Sequence, residues 1–211
     1  MPSNILQPLF RHLAPCLLAL LLLGAAAEDP GRAVSTPTGE VLVSLITVGK
    51  GGPREGVGQG VIDAPPARVF RALMDVEHWN EFMPFLEQSS ARRRKDGSID
   101  SFQRLQLPFP AGRRSYRIRL RGRTETGPAG PTWRIEWTQE PGWGNVKDHH
   151  GSWTLTAAGK SGTKATLRLF TDPGGFISAG AADRGTAETL PWIFHGLRQH
   201  VQRSRYDAPG L

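Results

Sequence analysis

The chain has 211 residues, a formal net charge of +7 and one cysteine, Cys16. A single cysteine excludes an internal disulfide and a metal site built from several thiolates. A hydrophobic fraction of 38% over this length fits one globular domain rather than a disordered chain.

The first 27 residues have the pattern of a secretory signal peptide. Arg11 and His12 precede a leucine-rich run at 17–23, and Ala25–Ala27 provides an A-x-A cleavage pattern. The run is shorter than the roughly 20 apolar residues that span a bilayer, which disfavours the alternative of a retained anchor. We therefore predict an exported protein, periplasmic or secreted, and Cys16 is absent from its mature chain.

Beyond the signal peptide at 1–27, we predict a flexible leader at 28–40, one domain at 41–205 and a tail at 206–211. The leader is polar and shows no periodicity. An exported protein with an excess of basic residues is not expected to bind nucleic acid. Its charge suits anionic lipid headgroups, and the alternative is that the charge only keeps the protein soluble.

The domain begins with predicted strands and two short helices. Runs rich in β-branched and aliphatic residues predict strands at 41–48 and 57–62. Pro65 and Pro66 then end the second strand, because proline cannot donate a ladder hydrogen bond. Apolar residues at helical spacing predict a helix after the two prolines. A second short helical turn with three aromatic residues follows at 79–85.

The rest of the domain predicts an antiparallel meander followed by a helix. The predicted strands are 87–93, 99–107, 116–123, 132–138, 146–156 and 163–171. Their links have hairpin lengths, whereas parallel crossovers need about a dozen residues or more. Leu190, Phe194, Leu197 and Val201 follow steps of three and four, which predicts an amphipathic helix. Pro191 either starts this helix or kinks a longer one.

The order of these elements resembles the START-like, or SRPBCC, superfamily, which includes polyketide cyclases/dehydrases, lipid-transport proteins and coenzyme Q-binding carriers. The segment Leu107–Tyr116, LPFPAGRRSY, is similar to a P-x-P, R-D-Y segment of many such carriers, with Ser115 replacing the acidic residue. The resemblance covers about residues 57–203. It implies an α+β helix-grip fold: a curved antiparallel β-sheet wrapped around a long C-terminal helix, with two short helices after the first strand and an apolar cavity.

Aromatic side chains supply the predicted ligand-binding site. Trp133 and Trp137 share one face of a strand, because side chains alternate along it, and Trp153 lies on the next strand. Large rings can enclose an apolar ligand, although they can also fill an ordinary core. The predicted ligand-binding residues are Trp79, Phe82, Phe85, Tyr116, Trp133, Trp137, Trp153, Ile193, Phe194 and Leu197.

Four arginines form a row on the opposite face of a predicted strand. Arg117, Arg119, Arg121 and Arg123 alternate with apolar residues from Tyr116 onward, so the arginines face solvent on the convex side. Such a row can dock on an anionic membrane surface. The simpler interpretation is a solvated strand face.

The chain contains few candidates for catalysis. Glu136, His149 and Arg114 are the residues that could act on a ligand in the cavity. His149 and His150 are adjacent on a predicted strand and point to opposite faces, so they cannot easily bind one metal ion together. We therefore predict no metal site and no cofactor.

These features predict a protein that binds a hydrophobic small molecule, as an exported carrier or sensor. The ligand class implied by the resemblance is a lipid, an isoprenoid or a polyketide-like compound. One alternative is a cyclase/dehydratase-type enzyme on the same fold. Another is a protein-interaction module that uses the basic strand face.

Overall fold

The computed structural model describes residues 31–109, 111–128 and 130–207. The predicted signal peptide and residues 208–211 of the predicted tail lie outside the described residues. The strands are β1 (Arg32–Thr36), β2 (Gly39–Ile46), β3 (Glu55–Ile62), β4 (Leu86–Arg93), β5 (Ile99–Gln106), β6 (Arg113–Gly127), β7 (Gly130–Gln139), β8 (Asp148–Ala158) and β9 (Gly162–Asp172). The helices are α1 (Pro66–Met74), a 3₁₀ helix (Val76–Glu81), α2 (Ala179–His200) and a 3₁₀ turn (Ser204–Tyr206).

The nine strands of the described residues form one antiparallel, curved, open sheet in the order β1-β2-β3-β9-β8-β7-β6-β5-β4. Strands β1 and β4 are its two edges. Strand β3 joins the first hairpin to the last strand, and Gly58 pairs with Leu167. With α2 packed on the sheet, this topology confirms the predicted helix-grip fold. Among the described helices, none has the length and hydropathy needed to cross a membrane.

The prediction of a flexible leader at 28–40 is wrong for residues Arg32–Thr36, because they form edge strand β1. Val34 pairs with Val41, a fully buried residue of β2. Gly39, at a φ of 123°, allows the tight turn between the two strands. Tyr206, in the predicted tail, is fully buried too.

Helix α2 lies directly on strand β3 because that strand carries a stripe of glycines. Gly56, Gly58 and Gly60, the glycine stripe, alternate along β3 and face the helix. A Cβ atom added at Gly58 would lie 2.9 Å from Phe194 Cε2. One added at Gly56 would lie 2.5 Å from Thr186 Cγ2. Any side chain in the stripe would therefore push the helix off the sheet.

Helix α2 is continuous through Pro191, so the alternative that the helix starts at this proline is wrong. Phe194 and Leu197 are fully buried, and the Phe194 ring lies 5.2 Å from the Trp153 ring. This contact confirms that the sheet grips the helix. Arg198, also buried, donates to Val61 O at 2.9 Å and to Glu40 O at 2.7 Å. It ties the helix to the backbone of β3 and to the start of β2.

Candidate ligand-binding site

The concave face of the sheet carries most of the predicted aromatic residues. In β7, Ile135 and Trp137 are buried and Trp133 is half-buried, whereas Glu136 between them is exposed. This alternation confirms that the two tryptophans share one face. Trp153 and Tyr116, on β8 and β6, are buried on the same side. The sheet therefore brings together rings from three neighbouring strands.

A buried hydrogen-bond network connects β7, β8 and β9 on this face. Trp137 Nε1–H donates to His149 Nε2 at 3.1 Å. The Trp137 side chain passes over Gly151, where an added Cβ would lie 2.4 Å from Trp137 Cζ2. Since Nε2 accepts, Nδ1–H of the neutral His149 ring donates to Thr171 Oγ1 at 2.9 Å. Both ring nitrogens of His149 are thus occupied.

Burial keeps His149 neutral. The side chain is 7% exposed and its ring stacks on the Tyr116 ring at 4.4 Å. Desolvation, with a smaller effect of the neighbouring His150 charge, lowers the pKa of His149 from 6.5 to about 3. Burial likewise raises the pKa of the Tyr116 phenol well above its ordinary value. Both groups remain uncharged near neutral pH.

The concave face also holds buried polar atoms that lack a hydrogen-bond partner among the described residues. Three of them are donors: Gln103 Nε2, Arg114 Nε and Trp153 Nε1. The others are Gln139 Oε1, an acceptor, and Ser101 Oγ, which can donate or accept. We refer to these five residues as the polar cluster. Unpaired buried polar atoms are rare in folded proteins and indicate a missing partner.

Register places most of the polar cluster in one half of the sheet. Gln103 pairs with Tyr116 across β5 and β6, and Arg114 pairs with Leu105. Gln139 pairs with Ile118 across β6 and β7. These positions lie toward the end of the sheet that carries the loops after β5, β7 and β9. We refer to this as the loop end.

Exposed aromatic side chains collect at the loop end. Phe109 is 97% exposed on the loop after β5, and Phe176 is 91% exposed on the loop after β9. Trp143, on the loop after β7, is 48% exposed, and Phe85, just before β4, is 44% exposed. These four residues form what we name the aromatic rim. Phe85, Phe109 and Phe176 lie at the end of the sheet nearest Tyr116 and its polar neighbours, whereas the Trp143 ring packs against Arg117 of the convex face.

Trp79 and Phe82, the predicted ligand-binding residues next to the first helices, contact different parts of the molecule. Trp79 packs edge-on against Trp137 at 6.1 Å, and its Nε1–H donates to Leu73 O at 3.0 Å. Phe82 stacks on His200 of α2 at 4.6 Å. The structure thus places Trp79 beside the concave aromatic residues and Phe82 in a separate contact.

The residues predicted on α2 lie against the sheet. Ile193 is 5% exposed, and Phe194 and Leu197 are fully buried. With Trp153 they make a packed wall on the β3–β8 side of the concave face.

Of the three catalytic candidates, Glu136 does not face the concave side, contrary to the prediction. It lies on the convex face and pairs with Arg123 at 2.5 Å, and the hydrogen bond from that guanidinium lowers the pKa of its carboxyl group. The alternation that buries Trp137 forces its neighbour outward. His149 and Arg114 are on the concave side.

The arginine row on the convex face is largely paired. Arg119 contacts Asp100 at 2.8 Å and Glu140 at 2.6 Å. Arg121 contacts Asp96 at 2.9 Å. The guanidinium of Arg117 lies 3.3 Å above the Trp143 ring. Carboxylates on β5, on the turn before it and just after β7 therefore offset much of the positive charge that the sequence places on this face.

Two cavities of ligand size open on the molecule, and only the second reaches the polar cluster, through Gln139. One, of about 440 Å³, lies between α2 and the segment after the 3₁₀ helix. The other, of about 350 Å³, lies beside the loop after β7. Neither is lined by Trp133, Trp137 or Trp153. In this conformation those rings pack against their neighbours, so a ligand on the concave face requires the site to open.

Sequence reasoning missed Ser101, Gln103 and Gln139. A signal for the first two was present, because Ile99, Ser101, Gln103 and Leu105 occupy alternate positions of one strand. Polar residues within an otherwise apolar inward row indicate a functional lining. Across the described residues, no group of three or more histidine, cysteine or acidic side chains is arranged to hold a metal ion.

Comparison with known sequences identifies a related family. Residues 62–195, more than half of the chain, match the family described as "Polyketide cyclase / dehydrase and lipid transport". No curated protein sequence matches the chain.

Comparison with solved structures shows the same fold. A STAR-related lipid transfer protein from Xanthomonas axonopodis is 20% identical, with a TM-score of 0.69, over 83% of this chain and 100% of that chain. Human StAR-related lipid transfer protein 5 is 12% identical, with a TM-score of 0.66, over 82% of this chain and 86% of that chain. The Zhui aromatase/cyclase from Streptomyces sp. R1128 is 17% identical, with a TM-score of 0.50, over 75% of this chain and 99% of that chain. At these identities the likeness establishes the fold alone.

Proposed function

The chain belongs to the polyketide cyclase / dehydrase and lipid transport family, and from this premise we propose that it binds a hydrophobic small molecule on the concave face. The ligand class is a lipid, an isoprenoid or a polyketide-like compound that carries oxygen acceptors. The signal-peptide pattern at 1–27 supports a role as an exported carrier or sensor.

The observation that carries this proposal is the polar cluster on the same face of the sheet as Trp137 and Tyr116. A buried donor without a partner costs about 1–3 kcal/mol. Among the described residues, such donors are Gln103 Nε2 and Arg114 Nε toward the loop end and Trp153 Nε1 farther along the sheet, and ligand carbonyl, ester or phosphate oxygens would satisfy them. The apolar body of the ligand would then lie against the rings of Trp137 and Tyr116.

The same geometry supports binding over acid–base catalysis. His149 uses both ring nitrogens within the protein, and its lowered pKa leaves it a poor base at neutral pH. Glu136 is on the convex face. Arg114 remains, and as a permanent cation it can orient or polarise a ligand oxygen but cannot exchange a proton.

Native mass spectrometry of the protein purified without detergent tests the binding proposal. We expect a co-purified apolar compound that is released on denaturation. The variant Gln103→Leu removes one unpaired donor at similar volume, so we expect it to remain folded and to retain less of an oxygen-bearing ligand. The matched control Gln88→Leu changes an exposed edge-strand glutamine and is expected to leave occupancy unchanged. Absence of any adduct, together with no saturable binding of a fluorescent fatty acid, would refute the proposal.

We further propose that the aromatic rim contacts a lipid surface when ligand is exchanged. Phenylalanine and tryptophan side chains insert favourably at a membrane interface, and the basic chain suits anionic headgroups. The convex arginine row is less suited than the rim to contact with an anionic membrane, because Asp96, Asp100 and Glu140 offset its charge. The rim also lies at the end of the sheet where the concave polar residues are found.

Sedimentation with vesicles of phosphatidylcholine and phosphatidylglycerol tests this contact. The double variant Phe109→Ala/Phe176→Ala removes two almost fully exposed rings and should reduce vesicle binding severalfold without loss of stability. The matched variant Arg121→Glu, on the convex face, should bind nearly as well as the wild type. The reverse ranking would assign the contact to the arginine row.

A further inference from the structure

A groove lies on the outer side of α2, away from the concave face. The cavity of about 440 Å³ described above is a groove between α2 and the segment 80–84. On α2 it is lined by residues of one helical face, and just beyond the helix by Arg203: the helical residues are Trp192, His195, Gly196, Gln199 and His200. The buried residues Leu190, Phe194 and Leu197 face the sheet instead. We refer to this cavity as the outer groove.

Close backbone packing builds one wall of the outer groove. A Cβ atom added at Gly196 would lie 2.3 Å from the carbonyl oxygen of Phe82. The segment therefore crosses the helix in direct contact at this glycine. Its side chains Phe82, Met83 and Pro84 give the groove an apolar wall, opposite the half-exposed ring of Trp192.

The floor of the outer groove contains a buried histidine held by a hydrogen-bond chain. His200 is 2% exposed, and its Nε2 lies 2.7 Å from the Tyr206 hydroxyl. Tyr206 is fully buried and donates its O–H to Asp75 Oδ2 at 2.9 Å. Because the carboxylate can only accept, the tyrosine oxygen must accept from His200. The Nε2 atom therefore carries the proton.

The other nitrogen of His200, Nδ1, forms no hydrogen bond within the part of the chain that the structure describes. In the neutral ring this Nδ1 is a bare acceptor, and it has no hydrogen-bond partner among the described residues. It lies 4.0 Å from Glu81 Oε2, and Glu81 also lines the groove. Arg203 and Arg205 already pair with that carboxylate. Burial and the Arg205 charge lower the pKa of His200 to about 4, so Nδ1 stays an acceptor near neutral pH.

We propose that the outer groove is a second ligand site, which takes a small apolar ring that carries an N–H or O–H donor. The donor binds His200 Nδ1, and the ring packs between Trp192 and the Phe82–Pro84 wall. Asp75 and Tyr206 act as positioning residues, because they fix the histidine tautomer that presents an acceptor. The site is independent of any ligand on the concave face.

Indole and 1-methylindole are matched probes for this site, since they differ in the donor and have similar rings. In solution NMR of the full chain, saturating indole should shift the Trp192 indole N–H signal and the His200 ring nitrogen signals. Indole should bind at least about fivefold more tightly than 1-methylindole, the lower limit expected for a hydrogen bond to a buried acceptor. The long-range ¹⁵N spectrum should show the Nε2–H tautomer of His200 before the probe is added.

Two variants separate the parts of the proposal. His200→Gln places an amide nitrogen where Nε2 stood and removes Nδ1, so it should abolish the preference for indole while retaining binding of both probes. Trp192→Ala removes one wall of the groove and should weaken both probes. The control Val48→Ala shortens an exposed apolar side chain that lines neither cavity, and it should change neither affinity.

Two experimental results would contradict the proposal, each in a different part. Equal affinity of the two probes for the wild type would overturn the donor assignment, even where His200→Gln fails to fold. A second contrary result would be NMR shifts confined to His149 and Trp153, together with an unchanged affinity of Trp192→Ala. It would show that the probe binds on the concave face and would refute binding in the outer groove. Neither result bears on the co-purified ligand, so failure here is distinguishable from failure of the proposed carrier function.

Discussion

At the residue scale, two buried histidines couple the stability of the fold to pH. His149 and His200 are both nearly inaccessible to solvent, and burial lowers their pKa values to about 3 and about 4. A histidine with a lowered pKa in the folded state binds its proton more readily in the unfolded state. Its stabilising contribution is therefore complete above the unfolded pKa of about 6.5 and is lost as the pH falls toward the folded value.

The first prediction is acid sensitivity that depends on His149. From about pH 8 to about pH 5, this residue alone should lower the free energy of unfolding by about 2 kcal/mol. The variant His149→Gln keeps an acceptor for Trp137 but does not titrate, so its loss over this interval should be smaller by that amount. Urea unfolding at the two pH values measures the difference. The half-exposed His195→Gln is the control, and an identical pH response of wild type and His149→Gln would contradict the assignment.

The second prediction concerns Phe194, which is fully buried against Trp153. Phe194→Ala should lower the free energy of unfolding by about 3–5 kcal/mol, because the cavity left behind in a packed core is not refilled. Thermal or urea unfolding measures the loss. A loss below about 1 kcal/mol would mean that one side of the ring faces space that a ligand fills rather than packed protein.

At the element scale, both helices approach the sheet closely where it carries glycine. Besides the glycine stripe under α2, Gly122 of β6 faces α1, and an added Cβ there would lie 2.5 Å from Met74 Sδ. Backbone-to-helix contact of this kind removes the layer of side chains that usually separates a helix from a sheet. It brings α1 and α2 down onto the concave face.

The third prediction follows from the glycine stripe. Gly58→Ala should destabilise the fold by about 1–3 kcal/mol, because the added methyl group displaces the Phe194 ring. The matched control is Gly185→Ala in α2, where an added Cβ meets no atom within 4 Å. That change should stabilise the protein by roughly 0.5–1 kcal/mol, since alanine favours helix. Urea unfolding of both variants is the measurement, and equal effects would be inconsistent with close packing at β3.

Periodicity and turn chemistry predicted most elements, and the failures have physical causes. The alternation of Tyr116, Ile118 and Leu120 assigned the buried face of β6 correctly, because one face of that strand is apolar. Strand β1 escaped prediction, since five residues with one valine show no usable period and depend on pairing with β2. The early part of α2 was hard to place, because Gly180 and Gly185 weaken its helical signal.

The candidate sites were predictable to different degrees. Aromatic residues on alternate positions pointed to the concave face. The polar cluster depends on which atoms lack partners, and this requires the folded neighbours. The outer groove could not be predicted, because Asp75, His200 and Tyr206 meet only through the packing of α1 against the end of the chain.

At the scale of the whole molecule, the two ends of α2 differ in how they are held to the sheet. Residues 190–200 of α2 are held by the glycine stripe and by Arg198. The loop after β9 is different, because Gly174 and Gly175 have φ values of 67° and 66° and the next residue, Phe176, is almost fully exposed. A ligand that reaches the concave face should therefore enter at the loop end.

The fourth prediction is a localised response to ligand. In hydrogen exchange of the protein with and without bound fatty acid, amides in 173–182 should change protection most. Amides in 190–201 should change little, because α2 cannot leave β3 without exposing Phe194. A uniform change along all of α2 would contradict opening at the loop end and would indicate that the whole helix moves.

The glycine stripe has a further consequence for the order of folding. Glycine weakens an isolated strand by its backbone freedom, so β3 has little tendency to form before its neighbours. Its pairing of Gly58 with Leu167 closes a separation of 109 positions, and α2 follows that partner strand in sequence. Strand β3 therefore becomes fixed only after nearly the whole domain has been synthesised, when β9 and α2 are both available. Docking of α2 and completion of the sheet are then a single late event, and a chain truncated before α2 should leave β2 and β3 unpaired with the rest of the sheet.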